Sequence, residues 1–360
     1  MRYLFIVQGE GRGHLTQAIA LSEMLRRNGH EVTEVLVGCS RNRIIPAFFQ
    51  ERIGAKVRTY ESPNFAASGN NKNINLFKSL VTNLSVRKQR RYAKSIEKIH
   101  RRIQKNRPDA VINFYELLAG LCNVRFREKV PFVAVAHQFL IRHPDFPYGE
   151  GSEHGKFFLR LYTLLCSIGT TKTLALSLYP LKDVYRDRIA VVPPLLRREV
   201  LELRPERNGF VLGYMLNPGY ADEVRAWHKK HPETPLHFFW DKKEAPEELK
   251  IDGTLTFHRI DDRKFLHYME RCSAYVTTAG FESVCEALYL GKPIMMVPAH
   301  LEQQINAADT HEAYGGIVTD SFDLTPLSTL TATDPEKIET FRRWVQSAED
   351  TFIRHLTTLV

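Results

Sequence analysis

The stretch FIVQGEGRGHLTQAIALSEML, Phe5–Leu25, runs an apolar strand into three glycines in five residues, then a histidine, then an apolar helix. A strand that turns tightly into a helix begins a βαβ unit, and ligands of such units sit beyond the strand's carboxyl end. Gly9, Gly11 and Gly13 read as a glycine loop that admits positive φ and close approach of a ligand to backbone. The dinucleotide fingerprint needs G-x-G-x-x-G and an acid closing the second strand. Here His14 takes the sixth position, and the second strand ends in Gly38-Cys39-Ser40. Both discriminating features fail, which excludes NAD and FAD. A histidine at a helix amino end is kept neutral by the helix dipole, the state that a general base requires. His14 is therefore the candidate base. The plainer alternative is a histidine that only satisfies loop backbone.

Outward from this turn, short apolar runs alternate with helix-like stretches. Tyr3–Gln8, Val32–Val37, Lys56–Tyr60, Ala110–Phe114, Phe132–Ala136, Thr173–Leu178 and Ile189–Val192 form one series of strands. Phe210–Met215, Leu236–Trp240, Leu255–Arg259, Ala274–Thr278, Ile294–Val297 and Gly316–Thr319 form a second. Strand alternating with helix predicts parallel sheets covered on both faces. The fold class is α/β: two doubly wound, Rossmann-like domains facing across a cleft. The expected divisions are an acceptor domain, 1–195, a proline-bounded linker, 196–208, a donor domain, 209–333, and a closing helix, 334–360. Asp334 and Pro335 start that helix, as N-cap and N1. Its apolar face is expected to pack across the domain junction.

The second series holds YVTTAGFESVCEALYLGKPIMMVPAHLEQQINA, Tyr275–Ala307. A strand ends at Thr278, Ala279-Gly280-Phe281 turns the chain, and a helix opens near Glu282-Ser283. Bare N–H groups at that helix start make a diphosphate seat without any lysine. Thr278 and Ser283 add hydroxyl donors. Glu286, about one turn on, can take both hydroxyls of a ribose, and Glu302-Gln303 can grip two neighbouring hydroxyls of a sugar. The plainer alternative is an ordinary helix start with acids in its first turn.

At these residues the chain resembles the GT-B nucleotide-sugar glycosyltransferases, above all the group of the UDP-glucuronosyl and plant glucosyl transferases and the peptidoglycan GlcNAc transferase. That group's donor motif reads approximately H-C-G-W-N-S-x-x-E, G-x-P and P-x-x-x-[DE]-Q-x-x-N-A. Here it is TAGFESVCE, GKP and PAHLEQQINA. The resemblance implies a diphosphate at Thr278, Ala279, Gly280, Phe281 and Ser283, a ribose at Glu286, a donor sugar at Glu302 and Gln303, and a base beside the Ile260 backbone. It also implies that His14 deprotonates the acceptor hydroxyl, inverting the anomeric centre, with a UDP-sugar as donor substrate and no obligatory cofactor or metal. Three departures stand out: Thr278 for the histidine, Phe281 for the tryptophan and Glu282 for the asparagine. A carboxylate at Glu282 is unwelcome beside a diphosphate unless it points away.

The net charge of +9 divides into +16 for residues 1–195 and −7 for residues 196–360, so the front half faces something anionic. Lys78–Arg107 holds eleven Lys/Arg and one acid, Glu97. It reads as a solvated basic helix or as a contact for an anionic membrane surface or an anionic acceptor. KFFLRLYTLLCSIG, Lys156–Gly169, reads most simply as a buried helix, with an interfacial helix as the alternative. Together these fit a lipid-linked or cell-envelope acceptor. Glu116 and His137, after strand ends, are candidates for the acceptor pocket or for helix caps, and Arg142–Gly155 for a lid. The absence of a leader, and five scattered cysteines without metal or redox spacing, lead us to expect a cytoplasmic protein, peripheral at most. No nucleic-acid module is legible. A nucleotide-sugar 2-epimerase and a non-catalytic sugar-nucleotide binder remain open as alternatives.

Overall fold

The computed structural model describes residues 1–41, 43–63, 85–147, 153–215, 218–242 and 244–359. The elements of the first lobe are β1 (Arg2–Gln8), α1 (Gly13–Arg27), β2 (Glu31–Cys39), α2 (Ala47–Arg52), β3 (Val57–Glu61), α3 (Val86–Asn106), β4 (Ala110–Phe114), α4 (Leu117–Phe126), β5 (Phe132–Ala136), α5 (Glu153–Cys166), β6 (Lys172–Leu176) and β7 (Ile189–Val192). A short helix, α6 (Arg198–Glu202), lies in the connection. The second lobe has β8 (Val211–Met215), α7 (Ala221–His228), β9 (Leu236–Trp240), β10 (Glu248–Lys250), β11 (Leu255–Arg259), α8 (Asp262–Arg271), β12 (Ala274–Thr277), α9 (Phe281–Tyr289), β13 (Ile294–Met296), α10 (Leu301–Tyr314) and β14 (Ile317–Val318). Two helices close the chain, α11 (Pro335–Gln346) and α12 (Ala348–Thr357).

The first sheet is ordered β3-β2-β1-β4-β5-β6-β7 and all its pairs are parallel. β1 lies inside it between β2 and β4, with Tyr3–Val7 wholly buried, as expected of a parallel strand covered on both faces. The second sheet is ordered β10-β11-β9-β8-β12-β13-β14, parallel except for β10 against β11. That antiparallel edge strand carries no apolar run and is not legible in the sequence. Strand order reverses between β1 and β4 in one sheet and between β8 and β12 in the other. In open α/β sheets these switch points are where ligands bind.

One hydrophobic core joins the lobes: Leu15, Ile19 and Leu25 of α1 belong to the same buried cluster as Val284 and Leu288 of α9 and Phe341 and Phe352 of the last two helices. The expected single closing helix is in fact two, broken at Ser347, whose hydroxyl bonds the Trp344 carbonyl at 2.7 Å. The break turns α12 towards the first lobe, where the Tyr3 hydroxyl donates to the Leu356 carbonyl at 3.3 Å. Trp344 Nε1 donates to the Ser177 carbonyl at 2.9 Å. Asp334 caps α11 through the Glu336 N–H.

The connection is pinned by Lys292, which is 2% exposed. Its ammonium donates to the carbonyls of Glu206, Glu270 and Cys272 at 2.6, 2.7 and 2.8 Å, so all three of its protons are used. Replacement by methionine keeps the length and leaves three carbonyls short of a donor. Lys292→Met is expected to lower stability by about 2 kcal/mol or more in denaturant titration; an unchanged midpoint would show that the staple carries nothing.

Candidate functional site

The carboxyl ends of three of the switch-point strands, β1, β4 and β12, meet across the seam between the lobes. From the first lobe come Gly9–His14 after β1 and Tyr115-Glu116 after β4. From the second come Thr278–Ser283 after β12. Two residues here hold left-handed backbone without being glycine: Tyr115, φ 56°, and Ala279, φ 61°. Such geometry costs about 1–3 kcal/mol and persists where surroundings over-determine it. The Ala279 carbonyl is held by Asn306 Nδ2 at 3.1 Å, and Tyr115 by its hydroxyl's 2.8 Å bond to Thr163.

None of the three loop glycines takes positive φ. Gly9 instead packs on β2: a Cβ there would stand 2.6 Å from Val37 Cγ1. Gly11 faces open space, and Gly13 brings the lobes together, since a Cβ would sit 3.3 Å from Glu282 Cγ. Gly9 serves packing and Gly13 the close approach of the lobes.

His14 lies in the first turn of α1, its ring stacked on Tyr115 at 5.5 Å between centroids. Burial holds its imidazole below the ordinary histidine value, against the pull of the Glu302 carboxylate. It is neutral at pH 7. Nδ1 is 3.2 Å from Gln17 Oε1, and Gln17 Nε2 donates to Glu282 Oε1 at 2.6 Å. Glu282, unwelcome at a diphosphate on paper, thus reaches across the seam to the first lobe. Burial pushes its carboxyl up to about 8.

Helix α9 opens with no side chain on its first N–H groups. Gly280 is its N-cap; the Ser283 hydroxyl donates back to the Gly280 carbonyl at 3.2 Å. Phe281 stacks on His137 of the first lobe, centroids 3.8 Å apart and planes 14° from parallel. His137 is buried, Nδ1 donating to the Leu176 carbonyl at 2.9 Å, and burial lowers it to about 4. Glu302 accepts from Gln138 of the first lobe at 2.7 Å. Gln303 turns inward, accepting from the Ala299 N–H at 2.9 Å and reaching Thr278 Oγ1 at 3.5 Å. Adjacent on a helix, Glu302 and Gln303 point apart.

Two expectations change. Glu116 does not line a pocket: it is wholly buried and N-caps α4, accepting from the Leu118 N–H at 2.7 Å and from the Ser62 hydroxyl. Burial raises it to about 7. Glu286 is also turned from the open seam, gripped in a bidentate pair by Arg197 Nε and Nη2 at 2.6 and 2.7 Å. Arg197 also bonds Asp262, and Arg52 of α2 reaches the same Asp262 at 3.4 Å. The Ile260 N–H is taken by the Trp240 carbonyl at 3.1 Å. Part of the expected lid, 148–152, lies outside the described residues; Pro144 and Phe146 line a cavity of about 740 Å³ with Tyr179, Tyr314 and Thr340.

Gln17, Tyr115, Gln138, Arg197 and Asn306 were not singled out from sequence. Only Asn306 carried a signal, as the asparagine of QQINA; the others gain their role from the opposite lobe or from chain distant in sequence.

With this geometry in place, comparison with known proteins decides the family. The profile of glycosyl transferase family 1 matches residues 1–332. The chain belongs to glycosyl transferase family 1. A relative from Methanosarcina acetivorans, described as an uncharacterized glycosyltransferase, is 26% identical over 343 residues, covering 88% of this chain and 83% of its own. Among solved structures, UGT71G1 of Medicago truncatula, complexed with UDP-glucose, superposes with a TM-score of 0.64 at 13% identity, covering 99% and 98% of the two chains. The calicheamicin glycosyltransferase CalG4 superposes at 0.61 and 18% identity, covering 100% and 99%. The transferase has the GT-B architecture, and this seam is its candidate active site.

Burial raises Glu286 as well, but the three carboxyls without a paired cation, Glu116, Glu282 and Asp309 (the last about 7), have one consequence. A carboxyl whose folded value exceeds its unfolded one holds its proton more tightly when folded. Its stabilisation is therefore full below the ordinary value near 4 and is lost as pH climbs through 7 to 8. The melting temperature of the transferase is expected to fall between pH 5.5 and 8.5, and less steeply in Glu116→Gln and Glu282→Gln; parallel slopes in all three would refute the assignment.

Proposed function

We propose that this glycosyltransferase moves a sugar from a UDP-sugar to an acceptor hydroxyl, inverting the anomeric centre without an obligatory metal. The observation that carries the reading is the uncapped start of α9 seated against Gly13 and His14 of the facing lobe. Charge develops on the leaving diphosphate as the glycosidic bond breaks, and preorganised N–H donors at Ala279–Ser283 stabilise it there. His14, neutral and with Nε2 free of the Gln17 bond, takes the proton of the acceptor hydroxyl. The nucleobase lies along the Ile260 backbone. Glu302 exchanges Gln138 for a sugar hydroxyl when the donor enters, with Gln303 beside it at Thr278. His137 bounds the acceptor side. The UDP-glucose complex of the Medicago relative supports this choice of donor.

For the acceptor, the support comes from α5. Its inner face, Thr163 and Cys166, packs towards Tyr115, while Phe157, Phe158, Leu161 and Leu164 are 42–63% exposed. The simple expectation of a buried helix therefore fails. The basic helix α3 buries Tyr92, Ile96, Ile99 and Ile103 and turns Arg87, Arg90, Lys94, Arg101 and Lys105 outward, while Arg102 pairs with the buried Glu34 and Arg91 with Glu61; Lys78–Leu84 lie outside the described residues. No helix among the described residues is long and apolar enough to cross a membrane. An apolar helix face and a cationic helix in the same lobe, with α4 packed between them, suit an anionic bilayer surface, and a lipid-linked or cell-envelope acceptor presented there.

Two measurements test these readings. UDP should raise the melting temperature, and UDP release from UDP-glucose or UDP-N-acetylglucosamine should persist in EDTA and drop about 10²- to 10⁴-fold in His14→Ala. Melting curves indifferent to UDP would sink the donor assignment; an epimer formed from UDP-N-acetylglucosamine alone would favour epimerisation, and an unaffected His14→Ala would remove the base. Separately, the protein should float with phosphatidylglycerol vesicles, less so in high salt or as Phe157→Ser/Leu161→Ser, and equal failure with anionic and neutral vesicles would end the membrane reading.

A further inference from the structure

His14 has Gln17 as its hydrogen-bond partner, three residues along its own helix. A glutamine amide can present either end to a ring nitrogen: its carbonyl would select N–H at Nδ1, its NH₂ a lone pair there. The choice sets which ring nitrogen is left as base. In this chain the choice is made by the other lobe. Glu282 Oε1 accepts from Gln17 Nε2 at 2.6 Å, which turns the amide carbonyl towards His14 Nδ1 at 3.2 Å. Gln17 is 2% exposed, so no water competes to rotate it. Glu282 Oε2 is buried without a partner, so the carboxyl's proton sits on Oε2 and Oε1, as the accepting oxygen, carries the whole link. Glu282 stands in the first turn of α9, the diphosphate seat.

We propose that Glu282 and Gln17 form a relay across the seam that fixes His14 as the Nδ1–H tautomer, so that closing the lobes creates the base. With the lobes apart, Gln17 loses its anchor and its amide turns freely. His14 then spends much of its time with the proton on Nε2, where it cannot accept one from a hydroxyl. A seated donor and a competent base thus arrive together, which limits attack by water on a donor in the open protein. The relay also accounts for glutamate where the resembling group has asparagine. Gln17 and Glu282 are positioning residues in this scheme, and their catalytic meaning rests on the proposed role of His14.

The tautomer itself is directly measurable. Long-range ¹H–¹⁵N spectra of the full chain with UDP bound, with the His14 ring assigned by its loss in His14→Gln, should show protonated Nδ1 and unprotonated Nε2. Gln17→Leu and Glu282→Leu should move the ring towards the Nε2–H form, and Glu282→Gln, whose side-chain carbonyl still accepts, should restore the native pattern. Thermal melts identify any variant that fails to fold, and Gln17→Ser is the substitute for Gln17→Leu in that case. In turnover, Gln17→Leu should lower kcat for UDP release about a hundredfold while KM for the donor stays within about twofold. An Nε2–H ring in the native protein, or a ring unmoved in the two leucine variants, overturns the relay. The expected tautomer pattern together with full activity of His14→Ala would retain the relay and discard the base.

Discussion

A parallel sheet that reverses its strand order leaves a gap at the carboxyl ends of two neighbouring strands, because the connecting helices depart to opposite faces. This chain makes that gap twice, at β1/β4 and β8/β12, and sets the two against each other. The rest follows from that opposition. Loops that would be free ends in either sheet alone become the two walls of one site. Each wall is braced by a residue in left-handed backbone, Tyr115 on one side and Ala279 on the other. The close-approach glycine, Gly13, stands where the walls touch.

Polar groups trapped between the walls must find partners in each other, since unpaired polar atoms in a dry seam are costly. Hence Gln17 takes Glu282, Gln138 takes Glu302, and Tyr179 takes Asp309 at 2.7 Å. The same burial raises Glu282 and Asp309 and lowers His14 and His137, keeping all four near neutrality. Glu286 is buried beside a full opposite charge, and Arg197 meets it with two parallel N–H donors, the geometry that offsets desolvation best. Because Arg197 sits in the connection between the lobes and shares Asp262 with Arg52, this ion pair also fixes how the lobes are joined.

Much of this was legible in advance. The alternation of apolar runs with helical stretches located both series of strands, because buried parallel strands are continuously apolar and need no partner to be recognised. The bend at Thr278–Gly280 and the helix start at Phe281 were legible because a strand, a small-residue bend and a helix start are all local. The edge strand β10, the break at Ser347 and the exposed face of α5 were not: a short polar edge, a single-residue bend and the identity of a covering neighbour leave no period. Glu116 and Glu286 show the limit for single residues. Each is a carboxylate at a plausible spacing, yet one caps a helix and the other is claimed by an arginine 89 positions away.

The amino-acid sequence alone determined the two-lobed α/β plan, the turn that carries His14 and the helix start that can hold a diphosphate, since each depends on contacts within about one turn of chain. Only the tertiary structure decided what those pieces do to one another. Glu282 pointing at Gln17, and Gln17 in turn orienting His14, requires residues 265 positions apart to meet. No propensity or periodicity encodes which way a glutamine amide faces; that is set by the one acceptor the folded seam leaves within its reach.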